Sequence, residues 1–171
     1  MLNYANACVV LAALSVTQQS TVAAQGGAAD ASDHAIVFEL GAAAGWSPSE
    51  GLQPGATFAV EITPIEHWLE LEAGVTATRA HRTTETTVDL LIKKPWPISR
   101  AFEFMAGVGP EVGHATGAEH ATFWGLSAVA DLMFWPRANV GWYLEPGYEV
   151  TFRQGSTRSG LAIAAGLLIG R

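Results

Sequence analysis

Apolar and polar residues alternate along most of this chain, beginning near residue 36. In the first run Ile36, Phe38 and Leu40 share one face of an extended chain, whereas Glu39 and Gly41 share the other. Successive side chains of a β-strand point to opposite faces of the sheet, so this period of two predicts a strand. Eight such runs occur, at 36–46, 56–63, 69–77, 85–93, 102–112, 124–134, 140–150 and 161–169. The sequence therefore predicts an all-β protein with eight antiparallel strands.

The composition of the two faces predicts a closed up-and-down barrel whose apolar face contacts lipid. The apolar face has no charge away from the strand ends, as a bilayer requires. Several of its aromatic residues lie near strand ends, which is typical of interfacial girdles; they are Trp46, Trp124 and Phe152 at one end and Phe102, Phe134 and Trp142 at the other. The polar face holds most of the strand glycines, and small residues suit the narrow interior of an eight-stranded barrel. A soluble, lipocalin-like binding barrel with an apolar interior is the alternative.

The connections between the runs fall into two alternating sets. Those at 63–67, 94–100 and 135–139 contain Pro, whereas those at 47–54, 79–83, 113–121 and 154–159 are mostly polar. An up-and-down barrel places alternate connections on opposite sides of the membrane, so we expect the first set to be periplasmic and the second extracellular. The second set is short, which argues against a dedicated adhesin.

The N-terminal segment predicts secretion across the inner membrane. An apolar stretch at 7–16 is followed by small residues before Gln25, as in a signal peptide with its cleavage site. We therefore expect a signal peptide at 1–24, a flexible lead-in at 25–34 and the barrel at 35–171. The alternative is an N-terminal membrane anchor. Cys8, the only cysteine, lies in the segment to be removed, so the mature chain has no thiol chemistry.

Charge excludes some partners. The formal net charge is −7, and a nucleic-acid-binding protein needs a basic stripe that this chain lacks. Lysine occurs only at Lys93 and Lys94, although a soluble protein usually keeps its surface hydrated with lysine and glutamate. We expect no nucleic-acid partner and no cofactor.

The alternating runs and the Gly-rich polar face resemble small outer-membrane barrels of the OmpA-transmembrane and OmpX type, and three segments resemble an uncharacterised proteobacterial branch of them. The segments are Lys93-Lys94-Pro95-Trp96, Gly107-Val108-Gly109-Pro110-Glu111 and Leu144-Glu145-Pro146-Gly147-Tyr148. The resemblance covers 35–171 and implies outer-membrane lipids and the barrel-assembly machinery as partners. Such barrels usually end in an aromatic residue, whereas this chain ends with Ile169, Gly170 and Arg171. The group includes adhesins, structural anchors, small-solute channels and lipid-modifying enzymes, so it does not determine an activity.

The predicted lumen face is strongly acidic. Within the predicted strands, Lys93 is the only basic residue expected among these acidic side chains. The residues expected to form a lumen charge cluster are Glu39, Glu61, Glu70, Glu72, Lys93, Glu103, Asp131 and Glu145. We expect a polar plug in which Arg100, Arg137 and Arg171 reach in from the periplasmic end; a path for cations is the alternative.

Other chemistry has weaker support. His81, His114 and His120 lie on predicted outer connections and are candidate metal ligands, although solvated loop histidines are the simpler interpretation. No His shares the lumen face with Ser127, so a serine nucleophile would lack its base. We expect no catalytic residues. The sequence thus predicts a structural or surface-interaction barrel, with a narrow cation or small-solute channel as the alternative.

Overall fold

The computed structural model describes residues 36–118, 120–153 and 155–170. The predicted signal peptide at 1–24 and the lead-in at 25–34 lie outside these residues. No helix within the described ranges is long and apolar enough to cross a membrane.

The described residues form one closed antiparallel β-barrel. Its eight strands are β1 (Ile36–Ser47), β2 (Gly51–Ile65), β3 (Leu69–Ala80), β4 (Thr83–Pro97), β5 (Phe102–Gly117), β6 (Ala121–Arg137), β7 (Val140–Arg153) and β8 (Ser156–Gly170). Each strand pairs with its neighbours in chain order, and β1 pairs with β8 to close the barrel. The predicted fold class, an eight-stranded up-and-down barrel, is confirmed.

The faces of the strands are those that the alternation predicts. Apolar residues point outward, and many large ones are exposed, among them Leu40, Val88 and Leu126. Outward aromatic pairs lie near both ends: Trp124 stacks on Phe152, and Phe134 packs at a tilt against Trp142. A soluble barrel would place these residues inside, so this exterior does not have the arrangement expected for the lipocalin-like alternative.

The connections are shorter than predicted. The strands that were expected to end near residues 46, 77, 112 and 150 continue to Ser47, Ala80, Gly117 and Arg153, and only two or three residues join each to the next strand. Outward residues in these extensions, such as His114 and Thr116, are polar and exposed. Because both faces are polar there, the period-two pattern disappears although the backbone remains paired.

A compact apolar group occupies the barrel interior at the end that holds Ile36 and Gly170, here called the terminal end. This inner apolar cluster consists of Val37, Met105, Met133, Trp135, Tyr143 and Leu168. The prediction for Trp135 was wrong: it was placed in a connection, but β6 continues to Arg137 and Trp135 points inward. The interior is therefore apolar at the terminal end and polar beyond it.

Candidate functional site in the barrel interior

Lys93 lies at the centre of the charged part of the interior. Its side chain is 1% exposed. Its ammonium lies 3.0 Å from a carboxylate oxygen of Asp131, 2.8 Å from Glu145 and 3.7 Å from Glu61, and it also forms an ion pair with Glu72. We call Lys93 and these four acidic residues the Lys93 cluster. One buried cation is thus shared among carboxylates from β2, β3, β6 and β7, which connects opposite walls of the barrel.

Glycine makes this geometry possible. Gly107 lies opposite Lys93 on β5, and a Cβ there would lie 2.7 Å from the Lys93 Cγ. The lysine stem therefore crosses β5 where there is no side chain and reaches Asp131 on β6. The glycines of the polar face provide space for long charged side chains inside a narrow barrel.

Three carboxylates converge on the neighbouring wall, and two of them, Glu61 and Glu72, also belong to the Lys93 cluster. Glu39 on β1, Glu61 on β2 and Glu72 on β3 each contribute one oxygen, and these oxygens all lie within 4.8 Å of one another. All three residues are buried. Register explains the grouping, because Glu61 faces Glu72 directly and Glu39 lies one diagonal step away on β1. Hard cations prefer such oxygen donors, so this group, here called the acidic triad, could hold one.

The Tyr143 hydroxyl lies beside the triad. Tyr143 projects from β7 across Gly166 on β8, and its oxygen would be 2.6 Å from a Cβ at Gly41. Gly41 is the next inward residue after Glu39 on β1. The hydroxyl is buried and has no hydrogen-bond partner among the described residues, and neither does one oxygen of Glu39. These are two unsatisfied polar atoms in the same small region.

Beyond the Lys93 cluster, the interior opens into two small polar cavities. The inner one, of about 70 Å³, reaches Glu72 and Glu145; the outer one, of about 110 Å³, extends to the far end of the barrel, here called the mouth. Both are lined by Thr76, Glu111 and Glu149. Within the described chain, no basic side chain pairs with Glu111 or Glu149. The walls between the mouth and the Lys93 cluster are therefore acidic.

Two arginines line the mouth, and neither was predicted to be a basic residue of the interior. The Nη1 of Arg153 lies 3.3 Å from the Oε1 of Glu85, and Arg158 forms an ion pair with Glu50. The expectation that Lys93 is the only base within the strands on this face was therefore wrong. Both arginines belong to extensions of β7 and β8 that lack apolar alternation.

The other predicted cluster residues lie at different depths. Glu70 is buried directly opposite Lys93 on β3, although the two form no ion pair among the described contacts. Glu103 lies nearer the terminal end, because it is paired with Met133. We predicted that arginines reach into the lumen from the terminal end, and for Arg100 and Arg137 this prediction was wrong. Both side chains are exposed and form no ion pair with the described residues. Arg171 lies outside those residues.

The candidate histidines are separated. His81 lies in the turn between β3 and β4, and His120 lies in the connection before β6. His114 is part of β5, not of a connection, and points outward, where its Nδ1 lies 3.0 Å from the Thr122 hydroxyl. In the described part of the chain these histidines do not form a group with ligand spacing; the acidic triad does.

Comparison with solved structures identifies the architecture. Neisserial surface protein A superposes with a TM-score of 0.61 at 11% identity, covering 79% of this chain and 95% of that one. The fold is that of the small outer-membrane β-barrels. The outer membrane protein OprG from Pseudomonas aeruginosa gives 0.59 at 10% identity, covering 81% of this chain and 96% of its own. Ail, the attachment invasion locus protein of Yersinia pestis, gives 0.54 at 14% identity, covering 80% and 99%.

No protein-family model matches the chain, and no curated protein matches it. At these low identities the solved barrels establish the fold alone. The expected resemblance to OmpA- and OmpX-type barrels is confirmed at that level.

Proposed function

We propose that this chain is an outer-membrane barrel with both termini in the periplasm and a closed lumen, acting as a structural or surface-interaction protein. The observation that supports membrane insertion is the exterior: large apolar residues cover it between two sets of aromatic residues. In water this surface would be a large exposed apolar patch, which monomeric soluble proteins rarely present. In lipid it is the expected outer face of a barrel.

The filled interior supports a closed lumen. The inner apolar cluster contains Met105, Met133 and Leu168, which are fully buried. The Lys93 cluster adds a second layer, since Lys93 contacts carboxylates from several walls at once. An ion crossing the barrel would have to displace both layers, one apolar and one held by ion pairs. The short turns at the mouth make a structural role more suitable than a loop-based adhesin.

Insertion is tested by heat modifiability and fractionation. A folded barrel in unboiled sample buffer should migrate differently from the boiled chain, and the protein should fractionate with outer membranes. The reason is that a closed barrel keeps every backbone hydrogen bond internal and resists detergent. Recovery of the unboiled protein in the soluble periplasmic fraction would contradict the proposal.

A narrow cation channel is the second candidate, because the cavity walls between the mouth and the Lys93 cluster carry Glu111 and Glu149, which form no ion pair with a described residue. Carboxylate-lined pores favour cations. Planar-bilayer recording separates the two candidates. We expect no conductance steps from the unmutated barrel, and steps in Met105→Ala/Met133→Ala/Lys93→Ala, which truncates both layers that close the lumen.

The matched control for that recording keeps Lys93→Ala and moves the other two truncations to Phe104→Ala/Leu132→Ala. These residues are on the same two strands but point outward, so their truncation should leave the barrel silent. Cation-selective steps from the unmutated protein would overturn the closed-lumen proposal and favour the channel.

A further inference from the structure

We propose that Glu39, Glu61 and Glu72 bind a divalent cation of the calcium class inside the barrel, beside the Tyr143 hydroxyl. The three carboxylates come from adjacent strands and place one oxygen each within 4.8 Å of the others. The site goes beyond the proposed function, because neither a closed nor a conducting barrel requires it.

Charge balance favours a cation at this position. Around the triad the interior also holds Glu70, Asp131 and Glu145, and Lys93 is the one base among them in the described part of the chain. Removing ionised carboxylates from water costs several kcal/mol each unless opposite charge compensates them. Lys93 divides its single charge among four carboxylates, and Glu39 is not one of them. A divalent ion at the triad would give Glu39 the direct ion pair that Lys93 does not form with it.

The Tyr143 hydroxyl is an independent indication of a ligand. Tyr143 belongs to β7, whereas the triad lies on β1 to β3. Its side chain is 2% exposed, its hydroxyl lies over Gly41 next to Glu39, and it has no hydrogen-bond partner among the described residues. Leaving a buried hydroxyl unpaired costs about 1–3 kcal/mol. A water bound to a cation at the triad would donate a hydrogen bond to the Tyr143 oxygen.

The donor set selects the class of ion. Three carboxylates and a neighbouring hydroxyl provide only oxygen, which suits Ca²⁺ or Mg²⁺, whereas Zn²⁺ and Cu²⁺ sites usually use imidazole or thiolate. The two cavities lead from the mouth to Glu72, and their walls carry Glu111 and Glu149. A cleft of one charge sign concentrates counter-ions, so cations have a route to the triad from the mouth.

Calcium binding by the folded barrel in detergent tests the site. Isothermal calorimetry with Ca²⁺ should show one saturable site, and Tb³⁺, a luminescent substitute for Ca²⁺, should give emission when the aromatic side chains are excited, with Tyr143 as a sensitiser beside the site. Glu39→Gln should weaken binding by roughly tenfold, since it removes one of three ligands. Glu39 has no ion pair with Lys93, so this change leaves the Lys93 cluster intact.

Glu111→Gln is the matched control. Glu111 is also buried and free of ion pairs with the described residues, but it lies on the cavity wall and outside the triad. It should change affinity by less than about threefold, because it alters only the field along the route. Tyr143→Phe should lower sensitised Tb³⁺ emission at least about twofold while the heat-modifiable gel shift persists.

Two results would overturn the proposal. One is the absence of saturable Ca²⁺ heat and Tb³⁺ emission up to about 5 mM, above the dissociation constants of the weakest calcium sites in proteins. The other is equal binding by Glu39→Gln and Glu111→Gln, which would mean that bound ions only screen the acidic interior. If Glu39→Gln loses its gel shift, Tyr143→Phe decides alone, and unchanged emission in that variant counts against the site.

Discussion

Lys93→Met should destabilise the barrel by about 3–5 kcal/mol, the cost of removing one partner from a buried ion pair. Methionine fills nearly the same space but leaves Asp131, Glu72 and Glu145 without the cation that they share. Any single Glu→Gln change in the Lys93 cluster should cost less, because it also removes repulsion between neighbouring carboxylates. Urea unfolding of the detergent-folded variants measures the difference.

The adjacent lysine is the control for this prediction. Lys94 points outward, donates a hydrogen bond to the His67 carbonyl and lies over the Trp68 ring. Lys94→Met removes the same group from the exterior and should cost less than about 1 kcal/mol. If Lys93→Met and Lys94→Met unfold at the same urea concentration, Lys93 is not the counter-charge of the interior.

Leu126→Arg should destabilise the membrane-inserted barrel by about 2–4 kcal/mol if the residue lies at the bilayer midplane, with smaller values nearer an interface. Leu126 is exposed on the outer face of β6, so an arginine there would place its charge in lipid. Val60→Arg, on the outer face of β2, should behave in the same way. Unfolding in lipid vesicles gives the free-energy change.

Ser127 provides the matched comparison, one residue along the same strand. It points inward, lines the inner cavity and lies opposite Glu149. An arginine at this position would enter an acidic, hydrated space, so Ser127→Arg should be tolerated far better than Leu126→Arg. The reverse order would invert the two faces and restore the soluble-barrel interpretation.

The alternation was enough to predict the strand number, the closure and the direction of each side chain in the lipid-facing belt. Apolar residues such as Leu126 must face lipid while Ser127 must not, so the sequence itself alternates with a period of two. The rule fails beyond this belt. Thr84 of β4, like His114 and Thr116 of β5, lies on paired backbone whose outward residues are polar, and no alternation there identifies a strand.

The interior was predictable in part. The inward direction of Glu39, Glu61 and Lys93 follows from the alternation, but the grouping of Glu39 with Glu61 and Glu72 depends on register between strands. The inner apolar cluster gave no signal at all. An apolar residue on the polar face, such as Met105 or Leu168, looks in the sequence like an ordinary irregularity of the alternation. Only the assembled barrel brings these residues together.

The strands of this barrel are longer than a membrane requires. The longest, β6, has 17 residues; at about 3.3 Å per residue and a tilt of about 40°, it rises roughly 40 Å, against an apolar band of about 25 Å. β6 extends beyond its predicted lipid-facing run by three residues at each end. In the proposed orientation its extension at the mouth stands above the lipid with those of β2, β5 and β8, as a stiff collar closed by tight turns. An antibody raised against the folded collar would recognise residues from several strands, so its epitope would be lost when the chain is boiled.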